Sequence, residues 1–342
     1  MQYRRLGTSG LKVSEICLGT MTFGHTTDEA EAKRIVDLAL DRGVNFFDTA
    51  NTYSGGRSEE LLGAALSGKR RGAVIATKFF NPVGDNPNDS GGSRYYIMNA
   101  VEESLRRLDT DHIDIYYIHH LDIETPIEET LRALDDLVRD GKVRYIACSN
   151  YPAWRLADGW WTSVHHDLER FICYQAEYSL VVRDIEEELV PLCIDKGIGI
   201  VPWGPLAFGF LTGKYKPGER RVEGTRSAEG WVWPEGHFAA NADESLSALL
   251  SVSAELDCSP AQAALRWIAD RPGVTSALVG ARTAAQFEDN LGAVALELPA
   301  EAEERLETIS KLPERYPWST EKTMPERRAS AVRSPDGSSR KR

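Results

Sequence analysis

The sequence lacks a long apolar run, a strongly basic composition and the glycine motif of a dinucleotide-binding Rossmann fold. No stretch approaches the roughly 18 consecutive apolar residues of a transmembrane helix, and the amino terminus has no signal-peptide-like apolar segment. With 52 acidic against 40 basic side chains, the net charge of −12 argues against a nucleic-acid-binding surface. We therefore expect neither a membrane nor a nucleic acid as a partner.

Cysteine is also scarce. The five cysteines are scattered and contain no C-x-x-C pair, which predicts reduced thiols in a cytoplasmic protein and no disulfide framework. The seven histidines show no metal-ligand spacing. Their two adjacent pairs, His119-His120 and His165-His166, are poorly arranged for binding one ion. No metal site is predicted.

Short β-branched or apolar runs alternate with longer amphipathic patterns between residue 14 and about residue 292. This alternation predicts parallel strands joined by right-handed helical crossovers, and eight such units can close into a barrel. The predicted fold class is α/β, a (β/α)8 TIM barrel with an N-terminal β-hairpin at 3–13 and an extra C-terminal helix and tail. The strands are predicted at 15–18, 45–48, 74–77, 113–118, 143–149, 171–176, 199–202 and 275–279, and helices at 28–42, 58–66, 94–108, 126–140, 184–195 and 260–270.

The chain shows no fixed-period repeat and no internal linker, so residues 1–311 are predicted to form one catalytic barrel domain. Residues 312–342 are predicted to be a C-terminal extension whose basic last part is disordered. The stretch 216–241, rich in glycine and tryptophan, follows the seventh strand and is predicted to be an active-site loop. The pattern at 125–128 predicts a capping box at the start of its helix.

Four ionisable residues fall at or just after the carboxyl ends of predicted strands, where barrels place their active sites. Asp48 ends the second strand and Tyr53 follows it, while Lys78 and His119 end the third and fourth strands. Neighbouring strands lie about 4.8 Å apart, so these side chains are expected to converge. Alone, each residue has an ordinary explanation in capping, packing or solvation, but the combination favours catalysis. Strand alternation is expected to turn His120 to the opposite side.

Longer motifs around these residues resemble the aldo-keto reductases over roughly residues 3–311. The matching segments are GVNFFDTANTY at 43–53, SEE at 58–60, ATK at 76–78, DIYYIH at 114–119, GKVRYIACSN at 141–150, QAEY at 175–178, PL at 205–206, LTGKY at 211–215 and GART at 280–283, followed by Asn290. The long loops look most like the bacterial branch that also resembles potassium-channel β subunits.

The resemblance implies NAD(P)H-dependent reduction of an aldehyde or ketone, including keto-sugars, with Asp48, Tyr53, Lys78 and His119 as the catalytic tetrad. A tyrosine phenol has an ordinary pKa of about 10, and a nearby ammonium acts to lower that pKa. Tyr53 would then protonate the alkoxide oxygen, Asp48 would orient Lys78, and His119 would hydrogen-bond the carbonyl oxygen.

The segment after the eighth strand predicts a phosphate site, because Gly280 permits close approach and Thr283 fits a helix N-cap. By resemblance, Arg282 lies near the adenosine 2′-phosphate, which favours NADP(H) over NAD(H), and Gln286 and Asn290 lie near the adenine. Of the other implied cofactor contacts, three face the nicotinamide carboxamide (Ser149, Asn150, Gln175) and one stacks on the ring (Trp203). The rest are Thr20, Met21, Asp48, Gly204, Pro205, Leu206, Gly209 and Lys214. Gly204 departs from many relatives, which have serine there.

The substrate pocket is the least specified part of the sequence. Besides Tyr53 and His119, the candidate walls are Met21, Phe23, Trp231, Trp233, His237 and Trp318, because aromatic and apolar side chains dominate such pockets. Two functions remain open: a catalytic reductase of small-molecule carbonyls, and a nicotinamide-binding regulatory subunit that senses redox state and turns over slowly. The intact tetrad favours the enzyme. The choice between a monomer and a homo-oligomer stays open.

Overall fold

The computed structural model describes residues 1–223, 225, 227, 236–321 and 324. The chain divides into two compact units, Met1–Ser310 and Lys311–Arg342. The larger unit contains the predicted barrel, and the described part of the smaller unit contains one short helix, Trp318–Glu321. The predicted basic tail at 327–342 lies outside the described residues.

An eight-stranded parallel sheet forms the centre of the larger unit. The chain order of its strands is followed around the sheet, with the last strand beside the first, and the sheet closes where Ile200 pairs with the segment at Gly273–Thr275. The predicted α/β barrel is confirmed. The strands are β1 (Tyr3–Arg5), β2 (Lys12–Ser14), β3 (Ile16–Gly19), β4 (Phe46–Asp48), β5 (Val74–Phe79), β6 (Ile113–Ile118), β7 (Val143–Ser149), β8 (Cys173–Glu177), β9 (Gly199–Trp203) and β10 (Ala277–Gly280).

Helices follow the strands and pack against the outside of the sheet. The helices of the larger unit are α1 (Glu29–Asp41), α2 (Arg57–Leu66), α3 (Arg94–Leu108), α4 (Ile127–Arg139), α5 (Ala153–His166), α6 (Leu189–Lys196), α7 (Ala242–Glu255), α8 (Pro260–Ala269), α9 (Ala284–Leu291) and α10 (Ala300–Ser310). The helix of the smaller unit is named α11 (Trp318–Glu321). The sequence patterns had not indicated α5 or α7.

Side-chain caps fix where several helices begin. Asp28 accepts the amide of Glu31 at 2.9 Å and starts α1, and a full capping box between Ser259 and Gln262 starts α8. The capping box predicted at 125–128 is wrong. Pro126 is the N-cap of α4 without a side-chain bond, because the Asp122 carboxylate instead accepts the backbone amides of residues 124 and 125.

The hydrophobic core has two layers. One lies between the sheet and its helices, and the other fills the inside of the barrel with side chains such as Phe46, Ile115, Tyr117 and Val201. The β1–β2 hairpin contributes Leu6 and Val13 to the inner layer, both fully buried. The hairpin therefore closes the end of the barrel where the strands begin, and the open end is the one where the strands finish.

All five cysteines are free, and four of them are buried. Within the described residues, no helix combines the length and the apolar character that a bilayer crossing requires.

Candidate active site

Lys78 lies in a fully buried position near the end of β5, and its ammonium contacts three oxygens. It forms an ion pair with the Asp48 carboxylate, donates to the backbone oxygen of Thr49 at 2.8 Å, and lies 3.3 Å from the Tyr53 phenol oxygen. An ammonium has three N–H donors. Each donor of Lys78 thus has a partner, which compensates for the burial of the charge.

Asp48 ends β4 and is also buried. Its second oxygen accepts the side-chain amide of Gln175, from β8, at 2.9 Å. Burial raises the pKa of the Asp48 carboxyl despite the opposing effect of Lys78. Burial is the largest single influence on Lys78 and acts to lower its pKa, but Asp48 and Tyr53 together outweigh burial, and the pKa is raised above its ordinary value. The lysine is therefore a cation at neutral pH.

Tyr53 begins a short 3-10 turn after β4, and the turn holds the phenol over Lys78. Ser54 adopts a φ of 51° there, and its hydroxyl donates to the Phe23 carbonyl at 2.8 Å. Burial raises the pKa of Tyr53 above its ordinary value of 10, and Lys78 opposes that effect. Lys78 acts to lower the pKa, as expected, but the effect of burial is larger and the net shift is upward. The phenol carries its proton at neutral pH.

His119 follows β6 directly and faces Tyr53, with 5.9 Å between the two ring centroids. Burial, with smaller contributions from Lys78 and His120, lowers the pKa of His119 to about 2. The ring is therefore neutral at physiological pH. A neutral imidazole carries one N–H and one acceptor nitrogen, so His119 has one proton available for a hydrogen bond.

The expectation that His120 points away from His119 is wrong. The two rings stack with 4.7 Å between centroids, and both residues line the same cavity. Strand β6 ends at Ile118, so the alternation of side chains that holds within a strand no longer applies at these two positions.

A cavity of about 860 Å³ opens at this end of the barrel, a volume typical of a small-molecule or cofactor site. Tyr53, His119 and Asp48 line it, and so does every residue that the resemblance assigned to the cofactor. These residues lie near the carboxyl ends of barrel strands or in the segments that follow those strands. Asn81, which the sequence analysis did not place in the site, also lines the cavity.

The side chains assigned to the carboxamide differ in their hydrogen bonding. The Ser149 hydroxyl is buried and has no partner among the described residues. Asn150 is already engaged, since its amide donates to the His119 carbonyl at 2.9 Å and its oxygen accepts the Trp203 indole N–H at 3.0 Å. These bonds fix the plane of the indole. An unpaired buried hydroxyl needs a ligand or water as a partner, so the cavity fits a ligand with polar groups at this point.

The loop after β9 lines the cavity, and several of its residues have positive φ angles. Ala207 and Phe208 adopt φ values of 47° and 54°, and Gly204 and Gly209 also have positive φ. Such conformations cost free energy and cluster where ligands bind. Gly204 has a φ of 64°, a backbone conformation that glycine adopts without strain.

The segment after β10 forms another part of the wall. Thr283 caps α9 by accepting the amide of Gln286 at 3.2 Å, as predicted, and the backbone amide of Arg282 donates to the Gln286 side chain at 3.0 Å. The sequence analysis missed Glu31, on α1. Its carboxylate accepts the amide of Ala284 at 2.6 Å and therefore lies at the N-terminus of α9.

The candidate residues of the substrate pocket lie in different surroundings. Met21 lines the cavity, whereas Phe23 is fully buried in the hydrophobic core and is not among the cavity residues. Nε2 of His237 lies within hydrogen-bonding distance of the Glu177 carboxylate, at 2.9 Å. Trp318 belongs to the smaller unit. Two predicted walls, Trp231 and Trp233, lie outside the described residues.

Comparison with known proteins identifies the family. A model of the aldo/keto reductase family matches residues 15–311. The chain belongs to this family. Like other aldo/keto reductases, it is an oxidoreductase that acts on a small-molecule carbonyl, and the family typically uses a nicotinamide cofactor.

Proteins of similar sequence occur in bacteria, plants and fungi. An uncharacterized oxidoreductase of Bacillus subtilis, YrpG, is 39% identical and covers 93% of this chain and 100% of its own. A probable voltage-gated potassium channel subunit beta of Arabidopsis thaliana is 39% identical over 86% of this chain and 91% of its own. Versiconal hemiacetal acetate reductase of Aspergillus parasiticus is 34% identical over 90% of this chain and 96% of its own.

Proposed function

We propose that this protein reduces an aldehyde or ketone to the alcohol with NADPH, and that Tyr53 is the general acid. The observation that carries the proposal is the contact between the Tyr53 phenol and the buried Lys78 ammonium, 3.3 Å apart. A phenol in the cavity wall, with a fixed cation behind it, can release a proton because the cation stabilises the phenolate that remains.

The residues divide the work as follows. His119 donates a hydrogen bond to the carbonyl oxygen, which polarises the carbonyl and holds it beside Tyr53. The Tyr53 phenol transfers its proton to that oxygen as negative charge develops there. Lys78 stabilises the phenolate, and Asp48 keeps the ammonium in position through their ion pair. The resulting phenolate regains its proton from solvent before the next turnover.

The residues in the cavity fit a nicotinamide dinucleotide. Ser149, with its unpaired hydroxyl, and Gln175 would bind the carboxamide, and Trp203 would pack on the nicotinamide ring. Arg282 would bind the 2′-phosphate, which favours NADPH, with Gln286 and Asn290 near the adenine. The chemistry that the cofactor supplies when bound is hydride donation to the carbonyl carbon.

The test is steady-state turnover of aliphatic, aromatic and sugar-derived carbonyls, followed by loss of reduced-nicotinamide absorbance with NADPH and with NADH. We expect turnover that prefers NADPH, and a loss of about 100-fold or more in kcat for Tyr53→Phe. Cofactor affinity, measured by quenching of tryptophan fluorescence, should be unchanged in that variant. Activity that survives in Tyr53→Phe would exclude the phenol as the acid.

The similarity to potassium-channel β subunits supports a second candidate, a redox-sensing regulatory subunit with slow turnover. Both functions require cofactor binding, so binding does not separate them. Tight NADPH binding with no turnover on any carbonyl, together with a stable protein complex, would favour the regulatory subunit. The complete tetrad favours the reductase.

A further inference from the structure

The imidazole of His119 has a hydrogen-bond partner, Asn81, that has no role in the mechanism proposed above. The side-chain amide nitrogen of Asn81 lies 3.3 Å from Nδ1 of His119. Asn81 follows β5, two residues after the strand ends, and lines the same cavity as His119. The contact joins loops from two neighbouring strands.

This contact determines which nitrogen of His119 carries the proton. An amide nitrogen only donates hydrogen bonds, so Nδ1 must accept, and the single proton of the neutral ring lies on Nε2. The opposite tautomer would place two donors against each other. The second nitrogen of a histidine commonly sets the chemistry of the first in this way.

Other contacts hold Asn81 in place from behind. Its backbone carbonyl accepts the hydroxyl of Tyr96, from α3, at 3.1 Å, and that hydroxyl accepts the side-chain amide of Asn51 at 3.0 Å. Tyr96 and Asn51 are each only 3% exposed. The position of Asn81 is therefore fixed by buried side chains and does not depend on a mobile loop surface.

The backbone of His119 is fixed as firmly. Its amide donates to the Phe79 carbonyl at 3.0 Å, and its carbonyl accepts the Asn150 side chain at 2.9 Å. Both partners of the Asn81–His119 hydrogen bond are thus anchored independently, so the bond does not have to hold the loops together. The role left for this hydrogen bond is to select the tautomer of the His119 ring.

We propose that Asn81 is a positioning residue that keeps the proton of His119 on Nε2, where it is donated to the carbonyl oxygen of the substrate. The first half of this statement concerns the protein alone. The second half rests on the proposed reductase function.

The first test reads the tautomer directly and needs no substrate. Nitrogen NMR of the full chain labelled with ¹⁵N-histidine, with the His119→Gln variant used for assignment, distinguishes a protonated from an unprotonated ring nitrogen. In the wild-type protein we expect an unprotonated Nδ1 and a protonated Nε2 at neutral pH. In Asn81→Asp, the carboxylate can only accept, so the proton should move to Nδ1.

The second test measures kcat, KM and cofactor affinity. Asn81→Asp leaves an unprotonated Nε2 facing the carbonyl oxygen and should lower kcat by about 100-fold, the size of effect expected when one donor to the reacting oxygen is lost. Asn81→Ala imposes no tautomer and should lose only several-fold. Cofactor affinity should stay unchanged in both variants. Asn88→Ala is the matched control, because Asn88 lies on the same loop and is exposed.

The outcomes separate this inference from the proposed function. If the wild type reduces no carbonyl but its spectrum shows the proton on Nε2 and the aspartate variant moves it, the proposed reductase function fails and the positioning of His119 stands. A wild-type spectrum with the proton on Nδ1 would overturn the inference. So would an Asn81→Asp variant with wild-type kcat in an active enzyme.

Discussion

The ammonium of Lys78 contacts both the Asp48 carboxylate and the Tyr53 phenol oxygen, which lies 3.3 Å away. The carboxylate neutralises the ammonium, and the ammonium can activate the phenol. The ion pair keeps the lysine charged in a fully buried position. The phenol keeps its proton, because burial raises its pKa. Before reaction, the site therefore holds a protonated Tyr53 beside the Lys78 ammonium, which stabilises the phenolate that forms when the proton leaves.

The protonation states predict the pH dependence of the reaction. The donor form of Tyr53 is lost only above its pKa, which is raised above 10, and His119 is neutral throughout because its pKa is about 2. We expect kcat/KM for carbonyl reduction to be flat from about pH 6 to about pH 9. Alcohol oxidation needs the phenolate and should speed up as pH rises. An alkaline loss of reduction with a midpoint near neutrality would contradict this assignment.

The buried ion pair predicts an asymmetric effect on stability. Lys78→Met leaves the Asp48 carboxylate buried without its partner and should lower the free energy of unfolding by about 3–5 kcal/mol, measured by urea denaturation. The double variant Asp48→Asn with Lys78→Met removes both charges and should recover most of that loss while remaining inactive. Lys33→Met, which breaks an exposed pair with Asp37, should cost under about 1 kcal/mol. Equal losses in the single and double variants would contradict the pairing.

The sequence predicted the barrel and the convergence of the tetrad because both follow from regular geometry. Asp48, Lys78 and His119 lie at or next to the ends of three consecutive strands, and strand ends in a parallel barrel must lie side by side. Helix α5 was not predicted because its segment contains three tryptophans and Gly159, which lower its helix propensity.

Contacts between loops were harder to predict than positions on strands. Asn81 contacts His119 from a loop in which Phe80 adopts a φ of 123°. The Tyr96 hydroxyl, from α3, holds this loop by donating to the Asn81 carbonyl. Glu31 meets α9 across 253 residues of sequence. Neither contact has a local pattern in the chain, since each depends on the packing of elements that are distant in sequence.

Arg282 predicts which cofactor is preferred. Charge-assisted hydrogen bonds contribute about 1.5–3 kcal/mol, so Arg282→Ala should weaken NADPH binding by about ten- to a hundred-fold. NADH has no 2′-phosphate, and its affinity should change less than about two-fold. Fluorescence titration with both cofactors measures the ratio. Arg305→Ala is the control, because Arg305 pairs on the surface with Glu255. Equal weakening for NADPH and NADH would place Arg282 away from the phosphate.

From the position of Glu31 we predict that removing its charge increases the preference for NADPH, the opposite of the effect expected for Arg282→Ala. Its carboxylate binds the amide of Ala284 at the start of α9, close in sequence to Arg282, and that hydrogen bond lowers its pKa, so it is ionised at neutral pH. A negative charge there repels a 2′-phosphate, although solvent and the ion pair between Glu31 and Arg34 weaken the repulsion. Glu31→Gln keeps an oxygen to accept the amide but removes the charge.

We therefore expect Glu31→Gln to tighten NADPH binding by about two- to five-fold in low salt, with NADH affinity unchanged and the gain reduced as salt is added. Glu29→Gln is the matched control, because Glu29 lies in the same first turn of α1 and pairs with Arg57, just as Glu31 pairs with Arg34. The measurement is the ratio of the two dissociation constants across a salt series. An unchanged ratio, or equal gains for both cofactors, would show that the Glu31 carboxylate serves only to cap α9.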